Sequence, residues 1–479
     1  MLESWARFSY RHRWQIVVAW TAGLIALFFL NFAFGGKYAS EFRVPGSEAQ
    51  RAADLLHDRF PARSGDNADL VFEAPAGVND PAVRPRIERL IEETRAIDGV
   101  ASVESPYDDT RFISKDGTVA RAKVVWTTES NEVKSSSLHQ FLGLADNAKR
   151  DGLTVEAGGQ VVARNEQPAF GSEFLGLLAA VAILLIAFGS LIAVGLPLGA
   201  AVFGLGAGFA TIGLAANIAT FPDFSPQFAA MIGIGVGIDY SLLIVTRYRE
   251  GLHSGKSVES SVVLAVTTAG RSVILAGVVV AIAFLGLFLM GLPFVAALGT
   301  AGAIVVVFAV LVALTLIPAA LSLAGRRIDS LRIPFLHTTE GVTEDSIWYR
   351  WSAAIQRHPL PYFLGAAGLL LFFALPALSM RLGFTDSGNT PTSQHSRRAY
   401  DLLTKGFGPG FNGNLIVTAD LSDGGQEQLD DLVAAIGSTE NVVEVSPPVT
   451  NPEGDTALIT VVPGSKPQDG ETKSLVHRL

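Results

Sequence analysis

The sequence predicts an α-helical multi-pass membrane bundle, with seven spans in this chain, that carries α/β domains outside the membrane. The chain has 479 residues and is 49% apolar but only 17% charged, whereas soluble chains have about 25% charged residues. Its apolar residues are concentrated in stretches long enough to cross a bilayer, which takes about 20 residues. The segments between these stretches have an ordinary composition, and one pattern in them occurs twice.

The spans follow from the distribution of charge. No basic residue lies between Arg164 and Arg247, and no charged residue lies between Arg271 and Arg326. The predicted spans are 14–34, 171–189, 193–214, 226–247, two between 272 and 324 that are divided near Gly291, and 359–379. A short amphipathic stretch, Val258 to Val266, is expected to lie on the membrane surface.

The first span has the basic flank and apolar core of a signal peptide. Its core is too long, however, and no small-residue cleavage site follows, so we interpret it as an uncleaved signal anchor. Basic residues cluster before span one, after span four and after span six, which places the N-terminus in the cytoplasm. The chain is therefore predicted to be a multi-pass protein of the cell membrane, with residues 35–170 and those after about 382 outside.

This topology divides the chain into six parts. They are 1–34 (N-terminal cytoplasmic segment and span one), 35–170 (first extracytoplasmic α/β domain), 171–324 (five-span bundle), 325–358 (cytoplasmic linker), 359–381 (span seven) and 382–479 (second extracytoplasmic α/β domain, incomplete).

The first outside domain shows strands and helices in the order β-α-β-β-α-β. The predicted strands are 69–73, 100–103, 119–126 and 153–156, and the predicted helices are 81–97 and 132–150. Asp80 is the expected N-cap of the first helix. This order is typical of a split βαβ domain.

A similar pattern begins again after span seven. Pro391 lies 346 positions after Pro45 (391 minus 45), and each proline precedes an Asp-Leu-Leu sequence. Further matches pair Asp69-Leu-Val with Asn414-Leu-Ile, and Gly99-Val with Asn441-Val. Internal repeats are common in transporters, although a duplicated outside domain without a transport role is an alternative. The second unit lacks the five clustered spans, so the chain is expected to be a fragment or a truncated reading frame.

Asp239 is the candidate functional residue, because it lies in the middle of the fourth span. A charge at the bilayer centre costs at least ~2.5–3.5 kcal/mol, and intramembrane carboxylates commonly carry protons or ions. The alternative is a structural carboxylate tied to another helix. The Tyr240 hydroxyl could bond a carboxylate on a facing helix, or its ring could simply pack. Small residues let helices approach closely, so Gly233, Gly235 and Gly237 are expected to be helix-packing positions.

Several classes of function are disfavoured. The run Gly235-Val-Gly237-Ile-Asp239 is one residue longer than the motif of GxGD proteases, which also need a second membrane aspartate. The sequence has no serine nucleophile motif, P-loop or metal-like histidine spacing, and no cysteine. The net charge of −9 disfavours nucleic acid. We therefore expect a protein that is not an enzyme, that uses no cofactor and that does not take its energy from ATP.

The chain resembles the RND superfamily, and within it the MMPL (MmpL-type) transporters. The resemblance is carried by Phe188-Gly-Ser-Leu191, by Leu196-Pro-Leu198, by the run from Gly233 to Glu250, and by the openings of the two outside domains. It implies an RND-like repeat and export of lipids or other hydrophobic compounds, driven by the proton-motive force. It also implies that Asp239 and Tyr240 form half of an intramembrane proton relay, whose other half is not found in this sequence.

The resemblance also implies partners: a lipid or hydrophobic cargo, the membrane, and self-association as a further expectation. The alternative is a sterol-sensing-like regulatory or scaffold bundle, which shares the five-span architecture without transport.

Overall fold

The computed structural model describes residues 1–39, 44, 46–60, 67–128, 130, 133–150, 152–166, 171–331, 347–380, 383, 386–422 and 424–479. The chain forms two compact units. The first comprises Met1–Val44 and Ala169–Met380, and the second comprises Pro45–Pro168 and Arg381–Leu479. Both α/β domains therefore belong to a single unit, which the sequence did not indicate. Pro45 and the linker residues 332–346 lie outside the described residues.

The helices and strands follow in chain order. The first part contains α1 (Leu2–Arg11), α2 (Arg13–Phe34), α3 (Glu48–Arg59), β1 (Asn67–Glu73), α4 (Arg84–Arg95), β2 (Val100–Glu104), β3 (Val119–Trp126), α5 (Ser135–Asn147), β4 (Thr154–Gly159) and α6 (Gln160–Asn165). The middle contains α7 (Gly171–Phe188), α8 (Leu191–Ala215), α9 (Ser225–His253), α10 (Val258–Leu285), α11 (Pro293–Ala324), α12 (Ile347–Arg357) and α13 (Pro359–Ala374). The last part contains α14 (His395–Phe407), β5 (Leu415–Asp420), α15 (Leu429–Gly437), β6 (Val442–Val445), β7 (Val449–Thr450), β8 (Thr456–Pro463) and α16 (Gly470–Arg478).

The membrane unit is a helical bundle. Among the described residues, six helices are long and apolar enough to cross a membrane: α2, α8, α9, α10, α11 and α13. The second predicted span corresponds to α7, whose apolar part, Phe174–Phe188, is shorter than those six. Helix α9 packs against α8, α10 and α11, so the fourth predicted span lies at the centre of the bundle. No residue of α2 or α13 is buried.

Helix α10 differs from the prediction, because it begins at Val258 and not near 272. Its start is capped by Ser257, whose Oγ accepts a hydrogen bond from the Ser260 amide at 3.2 Å. The expectation that Val258 to Val266 lies on the membrane surface is wrong. Val262 and Val266 are fully buried, since the apolar side of this stretch is covered by neighbouring helices and not by lipid.

Part of the predicted linker 325–358 is also helical. Residues Gly325–Asp329 form a 3₁₀ turn that continues from α11, and residues Ile347–Arg357 form α12. The charge-based prediction ended each span at the nearest arginines. Because both elements contain arginines, it assigned them to the linker.

The first α/β domain has the predicted split βαβ topology. Its sheet order is β2-β3-β1-β4, and all neighbouring strands are antiparallel. Its core includes Leu70 and Phe72 from β1, Ile87 from α4 and Phe141 from α5. The predicted N-cap is displaced, because α4 begins at Arg84 and the Asp80 carboxylate instead accepts from the Ala82 amide at 2.8 Å.

The second α/β domain repeats the first. Its sheet order is β5-β8-β6, with the short β7 paired to β8, which matches β1-β3-β2 of the first domain. Gly99 and Asn441, paired by the sequence repeat, both adopt a left-handed backbone, with φ of +93° and +72°. Asn tolerates this region better than most residues, so the repeat is confirmed at the level of backbone conformation.

Each domain receives the opening helix of the other repeat unit. Helix α14, which precedes the second domain, packs on β4, β1 and β3 of the first domain, with Ala399 and Leu403 against Val71 and Val119. Helix α3, which precedes the first domain, packs on β5 and β8 of the second domain. This exchange explains why the two domains form one unit.

Candidate functional site

Asp239 lies at the midpoint of α9, as the fifteenth of its 29 residues. Its side chain is exposed and has no hydrogen bond or ion pair with any described residue. At about 1.5 Å per residue, the carboxylate is roughly 21 Å from either end of the helix. Within the predicted span 226–247, the carboxylate lies about 20 Å from one end and about 12 Å from the other.

Asp239 belongs to an exposed stripe along one face of α9. Met231, Gly235 and Leu243 are exposed with it, and their spacing of four residues places them on one face. The remaining faces of α9 contact α8, α10 and α11. Because an ionised carboxylate facing lipid costs ~2.5–3.5 kcal/mol or more, this stripe requires a polar partner or water that the described residues do not supply.

Tyr240 points in another direction, because successive helical residues are about 100° apart. It is only 7% exposed and belongs to the core of the bundle, where its ring packs near Gly277 of α10. Among the described residues, no carboxylate accepts a hydrogen bond from its hydroxyl. In this structure the Tyr240 ring packs in the bundle core, and among the described residues its hydroxyl is not brought together with a second carboxylate.

The three glycines occupy different environments. A Cβ placed on Gly233 would lie 2.6 Å from Cγ1 of Val305, and one on Gly237 would lie 3.1 Å from Cα of Ala201. These two glycines therefore allow α9 to approach α11 and α8. A Cβ on Gly235 would meet nothing within 4 Å, because Gly235 lies on the exposed stripe one turn before Asp239.

A charged network at the end of α9 was missed by the sequence analysis. Arg249 Nε lies 2.8 Å from Asp329 Oδ1, and His253 Nε2 lies 2.7 Å from Asp329 Oδ2. Arg249 is 8% exposed, and its guanidinium lies 5.2 Å from the ring centroid of Phe188. The Ser190 hydroxyl lies 2.6 Å from the Ile328 carbonyl. Phe188, Ser190 and Arg249 belong to the motifs that carry the family resemblance, but nothing in the sequence pointed to Asp329.

A second network holds α14 on the first sheet. Glu156 of β4 lies 2.9 Å from His395 Nδ1, 2.9 Å from Arg398 Nε and 3.0 Å from Lys149 Nζ. Burial raises the pKa of Glu156, but its interactions with these three residues outweigh burial and lower the pKa to about 2. This carboxylate therefore stays ionised, and its role is structural.

The second unit also contains a cleft of about 630 Å³ between its two sheets. The lining residues are Asn67, Val103, Glu104, Ser105, Asp108, Asp109, Arg111, Phe112, Arg121, Lys123, Phe411, Asn414, Ile416, Glu444, Ser446, Val449, Leu458, Thr460 and Val462. Its volume is in the range of small-molecule sites.

Comparison with known proteins decides the family. The sequence model of the MMPL family matches residues 41–362, which include the Asp239 helix and the first α/β domain. This chain belongs to the MMPL family. Its family and its six long apolar helices accordingly make it a multi-pass membrane protein.

Individual MMPL relatives cover nearly the whole chain. Membrane protein YdfJ of Bacillus subtilis is 32% identical, and the match covers 98% of this chain and 64% of that protein. The mycolic acid-containing lipids exporter MmpL11 of Mycolicibacterium smegmatis is 25% identical, covering 96% and 50%. The trehalose monomycolate exporter MmpL3 of Mycobacterium tuberculosis is 24% identical, covering 91% and 50%. The chain thus spans between half and 64% of the length of these relatives.

Proposed function

We propose that this MMPL protein takes part in proton-driven export of lipids or other hydrophobic compounds across the cell (inner) membrane, with Asp239 as the proton carrier. The observation that carries the proposal is the position of Asp239: mid-helix, exposed, and unpaired within the described part of the chain. A carboxylate buried in a core would be fixed by its partners. A carboxylate on an exposed helix face can gain and lose a proton as its surroundings change.

The mechanism follows from the charge. Protonation makes Asp239 neutral and so removes most of the penalty for exposing its face to an apolar environment. If two arrangements of the helices differ in proton affinity at Asp239, proton binding from one side and release to the other shifts the population between them. Tyr240, on the neighbouring face, would act by packing against Gly277 and thereby fix the orientation of α9.

The proposed orientation places the N-terminus in the cytoplasm and the α/β unit outside. Arg7, Arg11 and Arg13 flank α2 on the side assigned to the cytoplasm. The names of MmpL11 and MmpL3 as lipid exporters support a lipid or other hydrophobic cargo for this chain. The unpaired stripe on α9 supports association of this bundle with further membrane helices, in the same protein or in a second copy.

The experiment is to place Asp239→Asn and Asp239→Glu in the complete protein and reconstitute each in liposomes with an imposed pH gradient. Efflux of a fluorescently labelled phospholipid and proton entry, reported by a trapped pH dye, are measured together. We expect Asp239→Asn to lose both activities and Asp239→Glu to retain them in part. Leu243→Asn, on the same stripe, is the control for a polar substitution. Wild-type efflux and proton entry with Asp239→Asn would reject Asp239 as the proton carrier, whereas a wild-type protein without efflux would favour the sterol-sensing-like regulatory bundle.

A further inference from the structure

Helix α11 contains a proline in its interior. It runs without interruption from Pro293 to Ala324 and includes Pro318. Because proline has no backbone N–H, the carbonyl four residues earlier, that of Leu314 (318 minus 4), loses its helical hydrogen-bond donor. Within a membrane such a carbonyl needs another donor, since the bilayer core has no water to supply one. Pro318 therefore leaves a break in the hydrogen-bond ladder of α11.

The missing donor comes from α1. The indole Nε1 of Trp5 donates to the Leu314 carbonyl oxygen at 2.9 Å, across 309 positions of sequence. The next residue of α11 is also bound from outside, because Nε1 of Trp20 in α2 donates to Thr315 Oγ1 at 2.8 Å. Two of the six tryptophans of the chain thus bind adjacent residues of α11 at the break.

The hydroxyl groups of α11 do not repair the break. Nearby Ser and Thr side chains commonly satisfy the carbonyl that a proline frees in a membrane helix. The three in α11 bond other carbonyls: Thr300 donates to Ala296, Thr315 to Leu311 and Ser322 to Pro318. The repair therefore depends on a separate helix. A hydroxyl of α11 would move with α11, whereas α1 can be withdrawn from it.

The contact of Trp5 is specific to its N–H. Its ring remains 39% exposed and stacks on Phe8, with ring centroids 5.5 Å apart. Helix α1 is held on the bundle by the fully buried Ala6 and by Arg7, whose Nη1 lies 3.2 Å from Glu259 Oε1 of α10. A phenylalanine in place of Trp5 would keep the ring and lose only the hydrogen bond.

The break lies between two contacts of α11 with α9. On one side, Val305 lies against Gly233, where a Cβ would come within 2.6 Å of the Val305 Cγ1. On the other side, the Leu321 carbonyl accepts from the Tyr248 hydroxyl at 3.2 Å. Helices bend most readily at an interior proline. A bend of α11 at the break would therefore move these two contacts relative to each other.

We propose that Trp5 is a positioning residue for the movement of α11 during export: its indole N–H completes the ladder at Leu314 and holds α11 in its present form, and withdrawal of α1 lets α11 bend at Pro318. This inference rests on the proposed export function only in taking the bend as part of transport. Because α11 packs on α9, the contact between Trp5 and Leu314 biases the balance between arrangements of the helix that carries Asp239.

The test uses the absence of cysteine from the chain. Spin labels are attached to Val307→Cys and Arg326→Cys, two exposed positions on either side of the break. Their distance in the full chain in nanodiscs is measured by double electron–electron resonance. The 19 positions (326 minus 307) correspond to about 28 Å at 1.5 Å per residue. We expect Trp5→Phe to broaden the distance distribution toward shorter values.

The decisive comparison is Pro318→Ala, because alanine returns a backbone N–H to the Leu314 carbonyl. Trp5→Phe combined with Pro318→Ala should recover the narrow distribution, since the indole N–H is then not needed. Trp14→Phe, at a tryptophan of α2 that is 66% exposed, is the matched control and should change nothing. An unchanged distribution in Trp5→Phe would overturn the proposal. A broadening that Pro318→Ala does not reverse would also overturn it, because lost packing would then be the cause.

Efflux in the complete protein separates this proposal from proton coupling. Trp5→Phe should change efflux of a labelled phospholipid by up to about tenfold, the scale of one hydrogen bond, and Pro318→Ala should abolish this sensitivity. A response to Trp5→Phe together with wild-type efflux in Asp239→Asn would keep the positioning role and reject Asp239 as the proton carrier. Wild-type efflux in Trp5→Phe together with lost efflux in Asp239→Asn would reject the positioning role and keep the coupling.

Discussion

His395 Nδ1 lies 2.9 Å from Glu156 Oε2, although 239 positions separate the two residues in the chain. This contact fixes α14, the opening helix of the second repeat unit, on β4 of the first. The Glu166 carboxylate adds a second attachment, since it accepts from the His395 amide at 2.7 Å and from the Ser396 amide at 3.0 Å. The two α/β domains are therefore joined through shared packing, and we expect them to unfold together.

The first prediction concerns acid stability. The pKa of Glu156 in the folded protein, about 2, lies below its ordinary value of 4.5. Its stabilising contribution is therefore complete above pH 4.5 and is lost as the pH falls toward 2. Glu156→Gln should lower the free energy of unfolding at pH 7 by up to roughly 3 kcal/mol and should flatten its dependence on pH between 4.5 and 2. Thermal unfolding of the full chain at pH 7 and pH 3 measures both effects.

Asp146 faces His395, and Lys149 faces Glu156. Asp146→Asn is therefore the matched control, because it also removes one carboxylate from this network. It should leave most of the pH dependence in place. A pH profile of Glu156→Gln that follows the wild-type profile would contradict the assignment of this stability to Glu156.

The second prediction concerns the cap of α14. Glu166 supplies a carboxylate to the first amides of a helix that begins 229 positions later, in a role normally filled by the residue before the helix. Its substitution by Gln should weaken these charge-assisted hydrogen bonds and destabilise the start of α14 by about 1 kcal/mol. Hydrogen exchange of residues 395–398 should become faster by several fold, while exchange in α15 stays unchanged. Equal protection of α14 in both proteins would show that the cap is dispensable.

The third prediction concerns the network at the end of α9. Asp329→Asn removes the carboxylate that faces the Arg249 guanidinium, which is 8% exposed. Breaking a buried pair in this way typically costs about 3–5 kcal/mol, so the thermal midpoint should fall clearly. His253→Gln should cost less, because its side chain is 36% exposed. Replacing both ionic partners, as Arg249→Met with Asp329→Leu, should be milder than Asp329→Asn; a more severe effect would contradict the argument.

The fourth prediction separates packing from function among the glycines of α9. Gly237→Val should destabilise the bundle by about 1–3 kcal/mol, because its side chain would overlap Ala201. Gly235→Ala should be neutral or stabilising in this chain, since its Cβ meets nothing and Ala has the higher helix propensity. Thermal unfolding in nanodiscs compares the two variants.

In the complete protein, we expect Gly235→Ala to reduce export even though it does not destabilise this chain. The reason is that Gly235 lies on the stripe of Asp239, where a close partner would meet the added methyl group. Full export with Gly235→Ala would argue against a tightly packed cover over this stripe.

The sequence by itself determined the membrane helices and the repeat. In a bilayer, a long apolar stretch must satisfy its backbone hydrogen bonds internally, which favours a helix. The alternation of strands and helices was sufficient to predict the split βαβ topology. It also singled out Asp239, because a carboxylate in such a stretch stands out from composition alone. The helix ends were less predictable: α10 begins at Val258 because tertiary packing against α9 stabilises turns that charge patterns had assigned to a loop.

Only the tertiary structure decided which face each residue occupies and which distant segments meet. Asp239 and Tyr240 are adjacent in sequence, yet one is exposed and the other buried, since the packing of α9 against three helices selects its inner face. The exchange of α3 and α14 between the sheets left no local signal. The same holds for the pairing of Arg249 with Asp329, because contacts between residues far apart in the chain depend on the assembled surfaces and not on the pattern within either segment.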